Sequence, residues 1–221
     1  QGIHRPHLPF VFPEEFLSLY PEDEIIEPTN SFAPTDMPTK AWSNFGELRN
    51  YEDCTNEALG IPDLGEINVT LPAWKTKELR RAYYSAVSYA DYCFGRILQE
   101  LRTLNLEDET IIVFWGDHGW QLGEHAEWCK HTNFEIATHV PLMFSVPGVT
   151  DVGLTSNRLT EMVDIFPTLV EAAGFEGLKL CSLDSTKETL CTEGASLVPL
   201  MNEPEKDKWK EAVVWQYPRG G

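Results

Sequence analysis

Thr110-Ile111-Ile112-Val113-Phe114-Trp115-Gly116-Asp117-His118-Gly119-Trp120-Gln121-Leu122-Gly123-Glu124-His125-Ala126-Glu127-Trp128-Cys129-Lys130 is the stretch from which the fold can be read. Its first six residues are β-branched or aromatic, the make-up of a buried strand. Asp117 and His118 then fall at the strand's C-terminal edge, where open α/β sheets place ligand sites. Gly116 and Gly119 let the backbone turn sharply there. A carboxylate, imidazoles and the cation of Lys130 follow on this turn, which suggests the handling of an anion. Alone, Asp117 reads more simply as a turn or cap residue, and Lys130 as a solvated surface lysine. His118, His125 and His131 are seven and six residues apart without a metalloprotease or Cys-x-x-Cys pattern, a weak argument for zinc.

Outward from this turn, residues 75–104 carry the strongest helical pattern. Leu79, Ala82, Tyr83, Ala86, Val87, Ala90, Cys93, Phe94, Ile97, Leu98, Leu101 and Leu104 form one apolar stripe. Lys77, Arg80, Arg81, Gln99, Glu100 and Arg102 fall mainly on the other face, and Cys93 is expected to be buried and inert. Strands are expected at 110–116, 141–146, 158–163 and 211–217. A helix over 164–173 would have Asp164 as its cap and Gly174 as its stop. Residues 1–75 are rich in proline and irregular, with a short helix at 14–20. Their aromatic residues favour burial over disorder. The expected organisation is a loop-rich covering segment (1–75), an α/β core (76–175), and a disulfide loop with a final strand (176–221).

At 221 residues one domain is the default. No run of about 18 apolar residues is present, so no transmembrane helix is expected. The chain opens on Gln1 without a leader and reads as an internal piece of a longer protein. A net charge of −18 argues against nucleic-acid binding. It would also repel polyanionic sugars, so His4, Arg5, His7, Lys130 and His131 become candidates for local recruitment. Near the sequence pI of about 4.6 that repulsion fades, as in an acidic compartment. Of the five cysteines, Cys181 and Cys191 flank a polar stretch that closes easily, and a disulfide there would contribute roughly 2–3 kcal/mol. Asn68-Val69-Thr70 is a glycosylation sequon. Together these favour the secretory pathway, in a lysosomal or secreted protein.

His4-Arg5-Pro6-His7-Leu8-Pro9-Phe10 offers imidazoles that exchange protons near neutral pH. Its two prolines are expected to hold it extended. A histidine here could protonate a leaving oxygen or bond an oxyanion, although the segment alone also reads as a polyproline-like surface loop.

These stretches resemble the sulfatases. The likeness is carried by His4 to Phe10, by Tyr84-Ser85-Ala86-Val87-Ser88-Tyr89 through Gly95-Arg96-Ile97-Leu98, and by Asp117-His118-Gly119-Trp120 through His125. Glu127-Trp128, Lys130, Ala137-Thr138-His139-Val140-Pro141-Leu142 and Phe166-Pro167-Thr168-Leu169 continue it. The likeness runs to about residue 174, and more weakly through Cys181 and Cys191 to Gln216-Tyr217-Pro218. It implies an alkaline-phosphatase-like α/β fold, a layered structure with a central mixed sheet flanked by helices. It implies that Asp117 and His118 belong to a single calcium site, with His118 also acting at the edge of the catalytic centre. His4 and Lys130 would contact the sulfate and its bridging oxygen, and the Cys181–Cys191 pair would be structural. The implied partner is a sulfated glycosaminoglycan substrate carrying uronate, as in heparan or dermatan sulfate.

The family nucleophile is a formylglycine made from a Cys/Ser-x-Pro-x-Arg motif by a formylglycine-generating enzyme. No cysteine of this chain has proline two residues later, and Ser145-Val146-Pro147-Gly148-Val149 lacks the arginine. The early aspartates that complete the calcium shell are also absent. The chain is therefore expected to be the middle and later part of a catalytic domain, inactive alone. Lys130 could depress the pKa of neighbouring Cys129, but Cys129 has no motif to make it a nucleophile. Competing readings are a phosphoryl or phosphonate hydrolase of the same superfamily, and a non-catalytic secreted binding protein on a sulfatase scaffold.

Overall fold

The computed structural model describes residues 1–62, 64–182 and 190–217. The chain divides into two compact units. The first comprises the described residues of 1–104 and 118–139 with Tyr217, and the second the described residues of 105–117 and 140–216.

The first unit is organised on the long helix α2 (Ala73–Thr103), which follows a short helix α1 (Asn56–Leu59). Pro72 precedes α2, and its carbonyl accepts from Thr76 N at 2.9 Å. At the far end Leu104 N closes on Glu100 O at 3.0 Å and Asn105 turns left-handed (φ 55°). The expected stripe is buried only in its first part. Leu79 and Ala86 are buried, but Val87 is 41% and Leu104 55% exposed, and Cys93 is only half-buried. Arg80, expected on the outer face, is drawn inward. Its Nη1 donates to Glu124 Oε1 at 2.8 Å and to Leu122 O at 3.1 Å. A buried ion pair thus overrides the side that periodicity assigns.

α2 packs on a small antiparallel hairpin. β2 (Gln121–Leu122) pairs with β3 (Trp128–Cys129) in the register Gln121↔Cys129 and Leu122↔Trp128. Gly123 sits at φ 99°, a conformation L side chains avoid. Glu127, buried inside the hairpin, accepts from Ser43 N at 2.8 Å. The covering segment joins the core as expected from its aromatics. Leu8, Phe45, Leu48, Cys54 and Leu71 cluster with Leu79, Trp120, Leu122 and Trp128. Residues 14–20 form a 3₁₀ turn, Glu14–Leu19, one of several that replace regular helix in this proline-rich stretch. A four-residue helix, α3 (Glu135–Thr138), follows the hairpin.

In the second unit β1 (Ile112–Trp115) pairs antiparallel with β4 (Leu142–Ser145), Ile112 opposite Ser145 and Trp115 opposite Leu142. The strands expected at 158–163 and 211–217 do not form. Their polar groups go to side-chain ties: Trp209 Nε1 donates to Leu159 O at 2.8 Å, and Val214 N to Glu161 Oε1 at 3.1 Å. Met162–Asp164 is instead a 3₁₀ turn leading into α4 (Ile165–Ala172). Asp164 precedes α4 but does not cap it. Its carboxylate accepts from Glu161 N at 2.8 Å, Ala195 N at 2.8 Å and Lys210 Nζ at 2.7 Å. Gly174, left-handed at φ 79°, ends the helix as expected, with Phe175 N on Val170 O at 3.1 Å. α5 (Val198–Asn202) follows. Cys181 and Cys191 are disulfide-bonded; residues 183–189 between them, and Pro218, lie outside the described residues.

Asp164 is fully buried and Lys210 compensates its charge. Burial alone would lower the Lys210 pKa, but the Asp164 and Glu161 carboxylates raise it. Lys210→Met is expected to cost roughly 3 kcal/mol, because it strands a buried carboxylate. Urea unfolding at neutral pH checks this, with Lys210→Arg retaining most of the stability.

Candidate functional site

Lys130 follows β3 directly and is the hub of a polar cluster in the first unit. Its Nζ donates to Glu47 Oε1 at 2.8 Å and Oε2 at 3.2 Å, and to His7 Nε2 at 2.6 Å. The tautomer of His7 follows from its neighbours. Nδ1 lies 2.7 Å from Leu8 O, which only accepts, so Nδ1 carries the proton and Nε2 receives Lys130. Lys130 Nζ also lies 5.0 Å from the centre of the Trp120 ring, a cation–π contact. An ammonium has three donors, and His7 and the two Glu47 oxygens are the acceptors around it.

His4 joins through His7, their ring centroids 4.8 Å apart. The His4–Phe10 segment is not extended. His7 N donates to His4 O at 3.0 Å, making a turn that sets the two imidazoles side by side. Proline fixes its own φ but does not keep the flanking residues from closing a turn. Tyr51 Oη accepts from Phe10 N at 2.6 Å and anchors the exit of the segment. His4 is exposed and His7 half-buried.

Trp120 ties this cluster to His118. Its ring centroid is 5.5 Å from His7 and 6.3 Å from His118. His118 Nδ1 lies 2.9 Å from Gly119 O, so Nδ1 carries the proton and Nε2 the lone pair. The turn is tight because Gly119 N donates to Ala137 O at 2.8 Å, and a Cβ at Gly119 would overlap the Ile136 carbonyl oxygen. Trp120 Nε1 is a buried donor without an acceptor among the described residues, the kind of orphan that a ligand or water satisfies. Asp117 is exposed at the end of β1 and belongs to the second unit. The structure thus unites His4, His118 and Lys130 in one unit, and describes Asp117 in the other.

Among the described residues, no group of three or more His, Cys, Asp or Glu side chains is placed to hold a metal ion. One carboxylate and an imidazole do not make a calcium shell of about 6–8 oxygens. The residues present do not fit a complete calcium site.

Glu47 and His131 extend the cluster. His131 Nε2 is 3.3 Å from Glu47 Oε1. Burial pushes the Glu47 carboxyl up, but the bond and charge of Lys130 and the charge of His131 outweigh it and hold the group below its ordinary 4.5. Cys129 behaves opposite to expectation. Burial first, then the Glu47 carboxylate, raises its pKa well above the usual thiol range, and Lys130 offsets this only in part. Cys129 is therefore a buried neutral thiol.

The sequence marks His7 as a recruiting cation and proton-exchanging imidazole and His131 as a recruiting cation and weak zinc candidate, but gives no sign of Glu47 or of the role of Trp120. The His4-Arg-Pro-His7 spacing held the signal for His7. Nothing local marked Glu47, which lies 83 residues from Lys130.

A family model described as Sulfatase matches residues 3–175. The chain is 35% identical to iduronate 2-sulfatase of Homo sapiens over 250 residues, covering 99% of this chain and 44% of that protein. It thus spans less than half the length of that curated relative. Among solved structures, a phosphonate monoester hydrolase from Silicibacter pomeroyi superposes with TM-score 0.66 at 25% identity, covering 94% of this chain and 37% of that one. A protein solved with its substrate D-glucosamine-2-N,6-O-disulfate superposes with TM-score 0.71 at 23% identity, covering 97% of this chain and 50% of that one. The fold is alkaline-phosphatase-like, as the sequence implied.

Because the folded Glu47 carboxyl titrates below 4.5, its pairing adds stability above that pH and loses it as pH falls through the folded value. Glu47→Gln is expected to cost roughly 1–2 kcal/mol at pH 7, discounted for partial exposure. It should also flatten the loss of stability below pH 4.5. Denaturant unfolding of wild type and variant across this range measures both.

Proposed function

The chain belongs to the sulfatase family, and from that premise we propose that it is the middle and later part of the catalytic domain of a sulfuric ester hydrolase. The substrate class is uronate-bearing glycosaminoglycan, heparan or dermatan sulfate, with an activity like that of iduronate 2-sulfatase. The observation that supports this most is the cluster of His4, His7 and Lys130 beside Trp120. It concentrates positive and proton-donating groups in a chain of net charge −18.

Lys130 bonds a sulfate oxygen in exchange for its longer contact, Glu47 Oε2 at 3.2 Å, while Glu47 Oε1 and His7 hold its position. His4, the exposed member, bonds the bridging oxygen and supplies a proton as the alcohol departs. His118 orients the edge of the site through Trp120. Asp117 would offer one carboxylate oxygen to a divalent cation, which would draw charge from the sulfate oxygens. A formylglycine, whose motif these 221 residues do not contain, would supply the attacking oxygen once installed by a formylglycine-generating enzyme.

The Cys181–Cys191 disulfide and the exposed Asn68-Val69-Thr70 sequon support passage through the secretory pathway to the lysosome or the exterior. Asn68 is left-handed (φ 65°), and its Oδ1 accepts from Ala33 N at 2.9 Å. Among the described residues, no helix is long and apolar enough to cross a membrane. A second reading, phosphonate ester hydrolysis, is favoured by the likeness to the Silicibacter pomeroyi enzyme.

In the full-length protein, Lys130→Met and His4→Ala are each expected to lower kcat/KM for a fluorogenic 2-sulfated iduronide by about 100-fold or more. Wild-type turnover of a phosphonate monoester in preference to the sulfated iduronide would favour the second reading. Unimpaired sulfate release by both variants would remove the first.

A further inference from the structure

Just beyond His131, the chain borders a recess of about 310 Å³. Lys40, Ala41, Thr132, Asn133, Phe134 and Tyr217 line it. Two side chains, His131 and Glu47, link the recess to the sulfate lysine. His131 stacks on Tyr217 with centroids 5.2 Å apart and 13° between planes, and the same imidazole reaches the Glu47 carboxylate that holds Lys130. Its floor is fixed on the other side as well, because Phe134 stacks on His125 at 3.9 Å and 7°.

The lining has the chemistry of a carbohydrate site. Aromatic rings offer flat apolar surface to the C–H face of a pyranose. Thr132 and Asn133 are a hydroxyl and an amide that can meet sugar hydroxyls. Lys40 is an exposed cation in a strongly acidic chain, so it selects locally for an anionic group. The volume is at the small end of ligand pockets, about 300–1,000 Å³, and suits a single sugar ring.

We propose that this recess is a saccharide subsite that takes the pyranose next to the sulfated residue, with Lys40 contacting that sugar's anionic substituent, a carboxylate or a second sulfate. The inference rests on the reading of Lys130 as the sulfate anchor. It makes Lys40 and Tyr217 determinants of oligosaccharide preference. They take no part in ester cleavage.

The test compares the full-length enzyme on two substrates, a fluorogenic 2-sulfated iduronide and a heparan-derived tetrasaccharide. Lys40→Gln and Tyr217→Ala are expected to lower the ratio of kcat/KM for the tetrasaccharide to that for the small ester by about tenfold, mostly through KM. A carboxyl-reduced tetrasaccharide loses the Lys40 effect if the carboxylate is the contact, and a tetrasaccharide stripped of its second sulfate loses it if the sulfate is. An unchanged ratio in both variants overturns the subsite. Equal loss on both substrates also overturns it, since that is the mark of a structural role. Lys130→Met serves as the separate control: full activity there would sink the sulfate reading itself, whatever the Lys40 ratio shows.

Discussion

The ion pair between Lys130 and Glu47 is the constraint on which the site depends. A lysine on a flexible stem is a poor anion receptor until something fixes its ammonium. Here a carboxylate from the covering segment and the lone pair of His7 fix it, at 2.8 Å and 2.6 Å. Both partners come from sequence far from Lys130, so the receptor exists only when residues 1–54 are folded onto the hairpin. The core that docks them is the same one, built from Leu8, Phe45 and Leu48 against Trp120 and Trp128. On the proposed reading, packing and anion recognition are one event in this unit.

Backbone geometry supplies the rest of the precision. The hairpin β2–β3 holds Lys130 at its exit, and Gly123 and the Arg80–Glu124 pair hold the hairpin against α2. Gly119 lets the Asp117–His118 turn approach the Ile136–Ala137 backbone, closer than any side chain would permit. Trp120 then contacts His7, His118 and the Lys130 ammonium, with Phe10 and Tyr83 packed beside its ring. A short turn sequence thus carries structural glycines and functional side chains in alternation.

Much of this was legible in the sequence, for physical reasons that differ by residue. The helix over 75–104 was readable because 3.6-residue periodicity is a local property, and strands 112–115 and 142–145 because β-branched runs are. The disulfide and the family likeness rested on spacing and motif. Four things were not legible. Arg80 and Glu124 pair across 44 residues and reverse the expected face of the helix. Residues 158–163 and 211–217 have strand-like composition but spend their polar groups on side chains such as Glu161. Glu47 carries no motif at all, because an acidic residue in a chain of 35 acids is invisible until the fold brings it to Lys130. The thiol of Cys129 fails the same way, since burial decides its state more strongly than its neighbour in sequence.

The central claim is that the ammonium beside Trp120 is built to receive a tetrahedral oxyanion. A crystal of the full-length protein equilibrated with inorganic sulfate tests it most directly. The account predicts density for the ion within hydrogen-bonding distance of Lys130 Nζ and of the His4 ring, with the Glu47 contact to Lys130 preserved. Lys130 with only its protein partners, and sulfate bound elsewhere or not at all, would contradict it.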